Sequence, residues 1–130
     1  MQAKSIAYSD SASGHYVEEQ LFDKLGIKAD VSNKATMIEK TPVASVVAKG
    51  DYALGFQQVS ELLPIEDAEF IGRIPDEVQY VTRFAGAVVA ASPAQQQSQQ
   101  LLCYLSSASV QKEVSATGLD PVSVNNAVCH

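Results

Sequence analysis

The sequence lacks the residues on which several classes of protein depend. It has no tryptophan, only two cysteines, and nine lysines and arginines against fifteen acidic residues, which gives a formal net charge of −6. Because binding to a phosphate backbone rests on clustered basic side chains, the absence of a basic run argues against nucleic acid as a partner. Two cysteines are too few for a metal framework or a disulfide scaffold. We expect Cys103 to pack within an apolar helix, while the penultimate Cys129 leaves an intermolecular disulfide open.

The sequence also lacks the long apolar runs that cross membranes or direct export. No segment approaches the roughly 20 apolar residues that a membrane span needs. Met1-Gln2-Ala3-Lys4 leads into a short predicted strand without a secretory apolar stretch. We therefore expect no membrane insertion, and the start of the chain by itself favours a cytoplasmic location.

What the sequence does contain is an alternation of strand and helix signals over 130 residues, of which 46% are apolar and 18% charged. Apolar segments predict strands at residues 5–8, 31–38, 52–56 and 80–91. Helices are predicted between Ser13 and Gly26, between Thr41 and Gly50, and in two segments between Pro93 and Gly118. This alternation implies parallel βαβ units. The expected fold class is α/β, with a mostly parallel open sheet and flanking helices.

Three polar turns follow predicted strands, and the first two begin helices. They are Ser9-Asp10-Ser11-Ala12-Ser13-Gly14, Thr41-Pro42-Val43 and Gln57-Gln58. Open α/β sheets bind ligands beyond the carboxyl ends of their strands. Helix N-termini present unpaired N–H groups and a positive dipole end, so two of them at one edge favour a small anion without any cationic side chain. The alternative interpretation is that these residues only cap helices.

His15 lies close to Ser13 and Asp10, which together supply the residue types of a hydrolase triad. Neighbours this close in one loop seldom reach the required relay geometry, and no Gly-x-Ser-x-Gly elbow is present. No His, Cys and carboxylate cluster has metal-ligand spacing, and Gly55 lacks the rest of a phosphate-binding loop. We therefore expect no enzyme activity, no catalytic residue, no metal and no cofactor.

The order and spacing of three segments carry a resemblance to a known family. They are Ile6-Ala7-Tyr8-Ser9-Asp10-Ser11-Ala12-Ser13-Gly14, Pro42-Val43-Ala44-Ser45-Val46-Val47-Ala48-Lys49-Gly50 and Leu54-Gly55-Phe56-Gln57-Gln58-Val59-Ser60-Glu61-Leu62-Leu63-Pro64. With the later segment 86–91 and the helices that end at Gly118, they resemble the type 2 periplasmic binding proteins. Within that fold the chain looks like the molybdate-binding-protein-like branch of ABC-transporter substrate-binding proteins. The resemblance covers about residues 4–122.

The resemblance implies a non-catalytic solute-binding protein for a small oxyanion such as molybdate, or for a small acidic ligand. The ligand-binding residues that it implies are Ser11, Ser13, Gly14, Val43 and Gln57. The backbone N–H groups near the two helix starts and the Gln57 amide would donate to the ligand. Gln57 stands where the molybdate proteins commonly carry a tyrosine, so this residue departs from the family pattern. The resemblance also implies a periplasmic location and leaves transporter subunits open as partners.

The resemblance implies that the chain corresponds to the second lobe of complete family members, and we expect the first lobe to be absent from it. The predicted domains are an α/β lobe at residues 1–92, a C-terminal helical segment at 93–122 that packs on the lobe or on a partner chain, and a loose tail at 123–130. The helical segment carries apolar residues that would need a surface to cover, namely Leu101, Leu102, Leu105, Val110 and Val114. We therefore expect a homodimer. The alternative function is a truncated stand-alone protein that acts as a dimeric interaction module without a transport role.

Overall fold

The structure, a computed structural model, describes residues 3–122. The chain divides into two compact units, of which the first ends at Thr82 and the second begins at Arg83. The predicted domain boundary, between residues 92 and 93, lies further along the chain. The predicted tail at 123–130 and Cys129 lie outside the described residues.

The first unit contains a three-stranded parallel sheet with the strand order β2-β1-β3. Its strands are β1 (Ile6–Ser9), β2 (Ala35–Ile38) and β3 (Leu54–Phe56). In the register of this sheet, Ile6 lies opposite both Ala35 and Leu54. All four residues of the central strand are buried, as expected for a parallel strand that is covered on both faces. The predicted open parallel α/β fold is confirmed.

Helices and helical turns flank this sheet, and the predicted helices after the first and second strands are among them. They are α1 (Ala12–Tyr16), a π-helical turn (Val17–Leu21), α2 (Phe22–Lys24), α3 (Lys28–Val31), α4 (Val43–Ala48), α5 (Val59–Leu62) and a 3₁₀ turn (Asp76–Val78). From α1 to α2 the backbone stays helical without a break, since the residues at both junctions are right-handed. The stretch ends at Gly26, whose φ of 65° is the left-handed stop expected there.

The core of the first unit forms where α1, the π-helical turn and α2 cover the central strand. Its buried residues are Ile6, Tyr8, Tyr16, Val17, Leu21, Phe22 and Val31. Phe22 makes edge-on ring contacts with Tyr8 at 6.4 Å and with Phe56 at 6.1 Å between ring centroids. Tyr16 stacks on Tyr80 at 5.1 Å and donates a hydrogen bond to the backbone carbonyl of Val78. These contacts hold residues 78–80 against the helix.

The second unit is helical where it has regular structure. It contains α6 (Gln95–Ser106), a 3₁₀ turn (Ala108–Val110) and α7 (Gln111–Ala116). Several large apolar side chains on it are about half or more exposed, namely Phe84, Val89, Leu101, Tyr104 and Leu105. Cys103, expected to serve only packing, is disulfide-bonded, which corrects that expectation. In the described part of the chain, no helix is long and apolar enough to cross a bilayer.

The strand predicted at residues 80–91 does not form, since the structure has no sheet residues in this segment. Its apolar composition is that of a strand, but a strand also needs a neighbour to pair its N–H and C=O groups. No described strand pairs with this segment. The prediction was wrong because the composition of a segment does not show whether another strand lies beside it to pair with it.

The strand predicted at residues 31–38 is shorter than expected and begins only at Ala35. Val31 instead ends the short helix α3, where its N–H donates to the Ile27 carbonyl at 3.1 Å and its side chain is fully buried. Local helical hydrogen bonds and burial of one apolar anchor therefore outweigh the β-preference of valine at this position.

Gly14 sets the distance between α1 and the central strand, so its substitution should destabilise the fold. A Cβ added there would lie 1.6 Å from the Ser9 carbonyl oxygen, a backbone atom that cannot move aside cheaply. We expect Gly14→Ala to lower the free energy of unfolding by at least about 3 kcal/mol in urea titrations.

Gly26→Ala is the matched control for this variant. A Cβ at Gly26 meets no atom within 4 Å, and only its φ of 65° opposes a side chain. The expected loss is about 1–2 kcal/mol. Equal losses in the two variants would contradict close packing at Gly14.

Candidate functional site

The predicted site residues lie at one edge of the sheet, where the three parallel strands end. The segment after β1 contains Ser11, Ser13 and Gly14, α4 begins after β2 at Val43, and Gln57 directly follows β3. Hydrogen bonds between these segments join them. The structure therefore places all five predicted residues at the edge where open α/β sheets bind ligands.

Three serine hydroxyls form a continuous chain beyond the central strand. The Oγ atoms of Ser9 and Ser11 are 2.7 Å apart, and those of Ser11 and Ser13 are 2.9 Å apart. Ser9 is buried, whereas Ser11 and Ser13 are only partly covered. Each hydroxyl can both donate and accept a hydrogen bond. The hydroxyl at the partly exposed end of the chain can therefore donate a hydrogen bond to a ligand.

The N-terminus of α1 lies beside this hydroxyl chain. No side chain caps it, and Ser11 occupies the capping position with its hydroxyl bonded to its serine neighbours instead. The N–H groups of the first helical turn have no intrahelical acceptor. Gly14 is buried against Ser9, so only its backbone could take part in binding. Hydroxyl and N–H donors thus lie together at this helix start.

Val43 and Gln57 meet at the start of α4. The Val43 side chain is fully buried and packs closely over Gly55 of β3, which leaves its backbone as the group available to a ligand. The Gln57 Oε1 atom accepts a hydrogen bond from the Ala44 N–H at 3.4 Å. This contact directs the carbonyl of the amide to the helix start and leaves its Nε2 hydrogens as donors. Gln57 therefore links β3 to α4 in addition to any contact with a ligand.

The segments after β1 and β2 are tied together through Asp10. Its N–H donates to the Ile38 carbonyl at 3.2 Å, and its Oδ2 accepts from the Lys40 N–H at 3.4 Å. Lys40 has a φ of 55° and is, among the described residues, the only non-glycine in left-handed backbone. A strained backbone of this kind persists only where its surroundings hold it.

Other polar groups stand apart from this edge. His15 is half-exposed, and its Nδ1 lies 3.9 Å from Glu19 one helical turn further on, a weak contact and no triad. The described residues contain no group of three His, Cys, Asp or Glu side chains that could hold a metal. One surface depression lies at the turn between α2 and α3 and contains no predicted site residue; it is lined by Asp23, Gly26, Lys28, Ala29 and Ser32.

Tyr8, next to Ser9 in the central strand, has a strongly shifted ionisation. Burial, followed by the hydrogen bond and the negative charge of Glu18, raises the pKa of Tyr8 to about 12. The phenol therefore keeps its proton throughout the neutral range. It belongs to the core beneath the site and supplies no acid or base to it.

This fold and this edge define a solute-binding protein. Residues 2–120 match the family described as bacterial extracellular solute-binding protein, and the chain belongs to that family. The predicted periplasmic-binding-like architecture is thereby confirmed at the level of the family. No solved structure matches the chain.

A curated relative gives a more specific comparison. It is an aconitate isomerase from a Pseudomonas species, 42% identical over 121 residues, which are 93% of this chain and 46% of the relative. The chain thus spans about half the length of that relative. The relative is named as an enzyme, and this contradicts the prediction that the chain is not one. That prediction rested on the absence of a catalytic motif and on the resemblance to binding proteins, and neither observation excludes catalysis.

Sequence reasoning missed two features of the site. Ser9 was assigned to a turn, but it is the buried first member of the hydroxyl chain. The repeated spacing of Ser9, Ser11 and Ser13 was the available signal. The left-handed backbone at Lys40 carries no sequence signal, since glycine or asparagine is the residue expected in that conformation.

The raised pKa of Tyr8 predicts a loss of stability in alkaline solution. Unfolding returns the pKa from about 12 to its ordinary value near 10. The stabilisation from the protonated phenol is therefore complete below about pH 10 and is lost as the pH rises toward 12. Urea unfolding of wild type and Tyr8→Phe between pH 8 and pH 11.5 should show a shallower decline for the variant. The exposed Tyr104 supplies the control Tyr104→Phe, and parallel curves for Tyr8→Phe and wild type would contradict the shift.

Proposed function

We propose that the protein containing this chain is an isomerase of the solute-binding family that acts on a small polycarboxylate of the aconitate class. In this proposal the chain supplies one wall of the substrate cleft, formed by Ser11, Ser13, Gly14, Val43 and Gln57. The observation that carries the proposal is the hydroxyl chain at the uncapped start of α1. The 42% identical aconitate isomerase supports the choice of substrate class.

The donors at this edge suit a carboxylate. A carboxylate has two oxygens that only accept hydrogen bonds, and hydroxyl, amide and backbone N–H groups all donate. Ser13 and the first turn of α1 can donate to one oxygen while the Gln57 amide donates from the other side of the edge. The positive end of the helix dipole adds to this attraction.

The isomerisation also requires the transfer of a proton. Converting cis-aconitate to trans-aconitate by proton transfer removes a proton from the methylene carbon, moves the double bond, and returns a proton to the former vinyl carbon. The wall described here binds and orients carboxylates next to that event. The proton carrier is assigned to no residue of this chain, which matches 46% of the relative's length. In this proposal the opposite wall of the cleft comes from outside the matched part.

A second candidate is binding and delivery of a small inorganic oxyanion such as molybdate to a transporter. Neutral hydroxyl and N–H donors, which also suit a tetrahedral oxyanion, favour this candidate. It fits the family description equally well. Either candidate favours a periplasmic location, and the disulfide at Cys103 is of a kind that persists in an oxidising compartment.

Substitution in the hydroxyl chain tests the proposed function. Ser11→Ala removes the middle hydroxyl, which contacts both neighbours. We expect the dissociation constant for trans-aconitate to rise about tenfold, since a hydrogen bond in such a network contributes about 1–1.5 kcal/mol. Binding is measured by calorimetry on the full-length protein, and conversion of cis- to trans-aconitate by proton NMR.

Ser32→Ala is the matched control, because Ser32 bonds the Ala29 carbonyl beside α3, away from the strand ends. It should bind like wild type. A wild-type protein that binds molybdate or sulfate but neither isomer of aconitate would overturn the isomerase proposal in favour of the second candidate. Equal affinity of Ser11→Ala and Ser32→Ala for trans-aconitate would contradict a role of the serine chain in binding.

We also propose that this chain forms a homodimer through its second unit. Leu101 and Leu105 are spaced by one helical turn on α6 and are 57% and 49% exposed. Size-exclusion chromatography with light scattering at tens of micromolar should give the dimer mass for wild type. The double variant Leu101→Gln and Leu105→Gln should give the monomer mass, and Gln96→Glu on the same helix should remain dimeric. A monodisperse wild-type monomer would contradict the proposal.

A further inference from the structure

The three segments that follow the strands contain very few charged residues. Within residues 10–11, 39–42 and 57–58, the charged residues are Asp10, Glu39 and Lys40. Lys40 is therefore the only cation in these three segments. The hydroxyls, amide and N–H groups of the wall are neutral. A polycarboxylate brought to this edge meets two acidic groups, and Lys40 is the group that can offset them.

The backbone of Lys40 is held in a costly conformation. Its φ of 55° is left-handed, a region that residues with a Cβ seldom occupy. The Asp10 carboxylate accepts its N–H at 3.4 Å and so helps to fix the turn. If only the turn mattered, glycine or asparagine would form it with less strain. The presence of lysine in this conformation points to a use for its ammonium group.

The ammonium group itself is available. Lys40 is exposed, and it takes part in neither of the ion pairs, His15 with Glu19 and Lys28 with Asp23, found among the described residues. Asp10 is the neighbouring acid, but its bond to the backbone N–H of Lys40 uses one carboxylate oxygen for the turn. The four-carbon stem of a lysine allows its charge to reach a ligand on the adjoining serines.

We propose that Lys40 recognises a carboxylate of the substrate and that Asp10 is a positioning residue which holds Lys40 in place. This inference rests on the proposed function and names the residue that selects an anion with several carboxylates over one with a single carboxylate. Lys40 binds the carboxylate that lies furthest from the hydroxyl chain, while the serines and Gln57 hold another.

The test compares two lysines at opposite ends of the same strand. Lys40 follows β2 and Lys34 precedes it, so Lys40→Gln and Lys34→Gln change the net charge equally. Titration calorimetry of the full-length protein with trans-aconitate should give a dissociation constant raised at least tenfold for Lys40→Gln and changed less than twofold for Lys34→Gln. Salt should weaken binding to wild type more than binding to Lys40→Gln.

Lys40→Gly separates recognition from backbone conformation. Glycine accepts the left-handed turn, so this variant should melt at the wild-type temperature or higher while binding as weakly as Lys40→Gln. Equal binding by Lys40→Gln and Lys34→Gln, with wild type binding trans-aconitate, would overturn the role of Lys40 alone. A wild-type protein that binds no tricarboxylate would overturn both this inference and the proposed function.

Discussion

The pairing of the central strand on both sides is the constraint on which the rest of the structure depends. Ile6 is in register with Ala35 on one side and Leu54 on the other. Because both pairings are parallel, three strands must end at the same edge and three connections must begin there. The candidate site is a consequence of that geometry, since its hydroxyls, helix starts and amide all belong to residues that end or follow a strand. The close packing of Gly14 on Ser9 then brings α1 directly over the strand that it follows.

The parts of this fold that the sequence predicts are those that local signals determine. An apolar run followed by Ser9-Asp10-Ser11 gives both the end of β1 and the start of a helix, and Gly26 and Gly50 end helices where expected. The segment 80–91 failed as a strand because pairing depends on a distant partner. The burial of Ser9 and the left-handed turn at Lys40 could not be predicted either, since tertiary contacts produce both.

Function was harder to predict than fold for a related reason. The same edge of an α/β sheet serves binding and catalysis, and the wall of a cleft has the same donors in either case. The residues of this wall indicate an anion but do not distinguish a transported solute from a substrate. The relative is named for a reaction, which is a step that follows binding. The comparison therefore changes the functional interpretation from binding alone to binding followed by catalysis. The donors determine which kind of ligand this edge suits, and they are the same whether the ligand is released unchanged or converted.

Under the proposed function, the charge of this edge limits how much of the reaction its residues can carry out. A tricarboxylate brings three negative charges to an edge where the strand-end segments hold two acids and one lysine, in a chain of net charge −6. Hydroxyl and N–H donors orient carboxylates, but they offset only part of that charge, and an allylic proton is removed only when the developing carbanion is stabilised. In the proposed function, the group that accepts the proton and the further positive charge are therefore assigned to a wall that faces this one. In that proposal this edge holds the carboxylates of the substrate before the proton is transferred, which separates binding from chemistry.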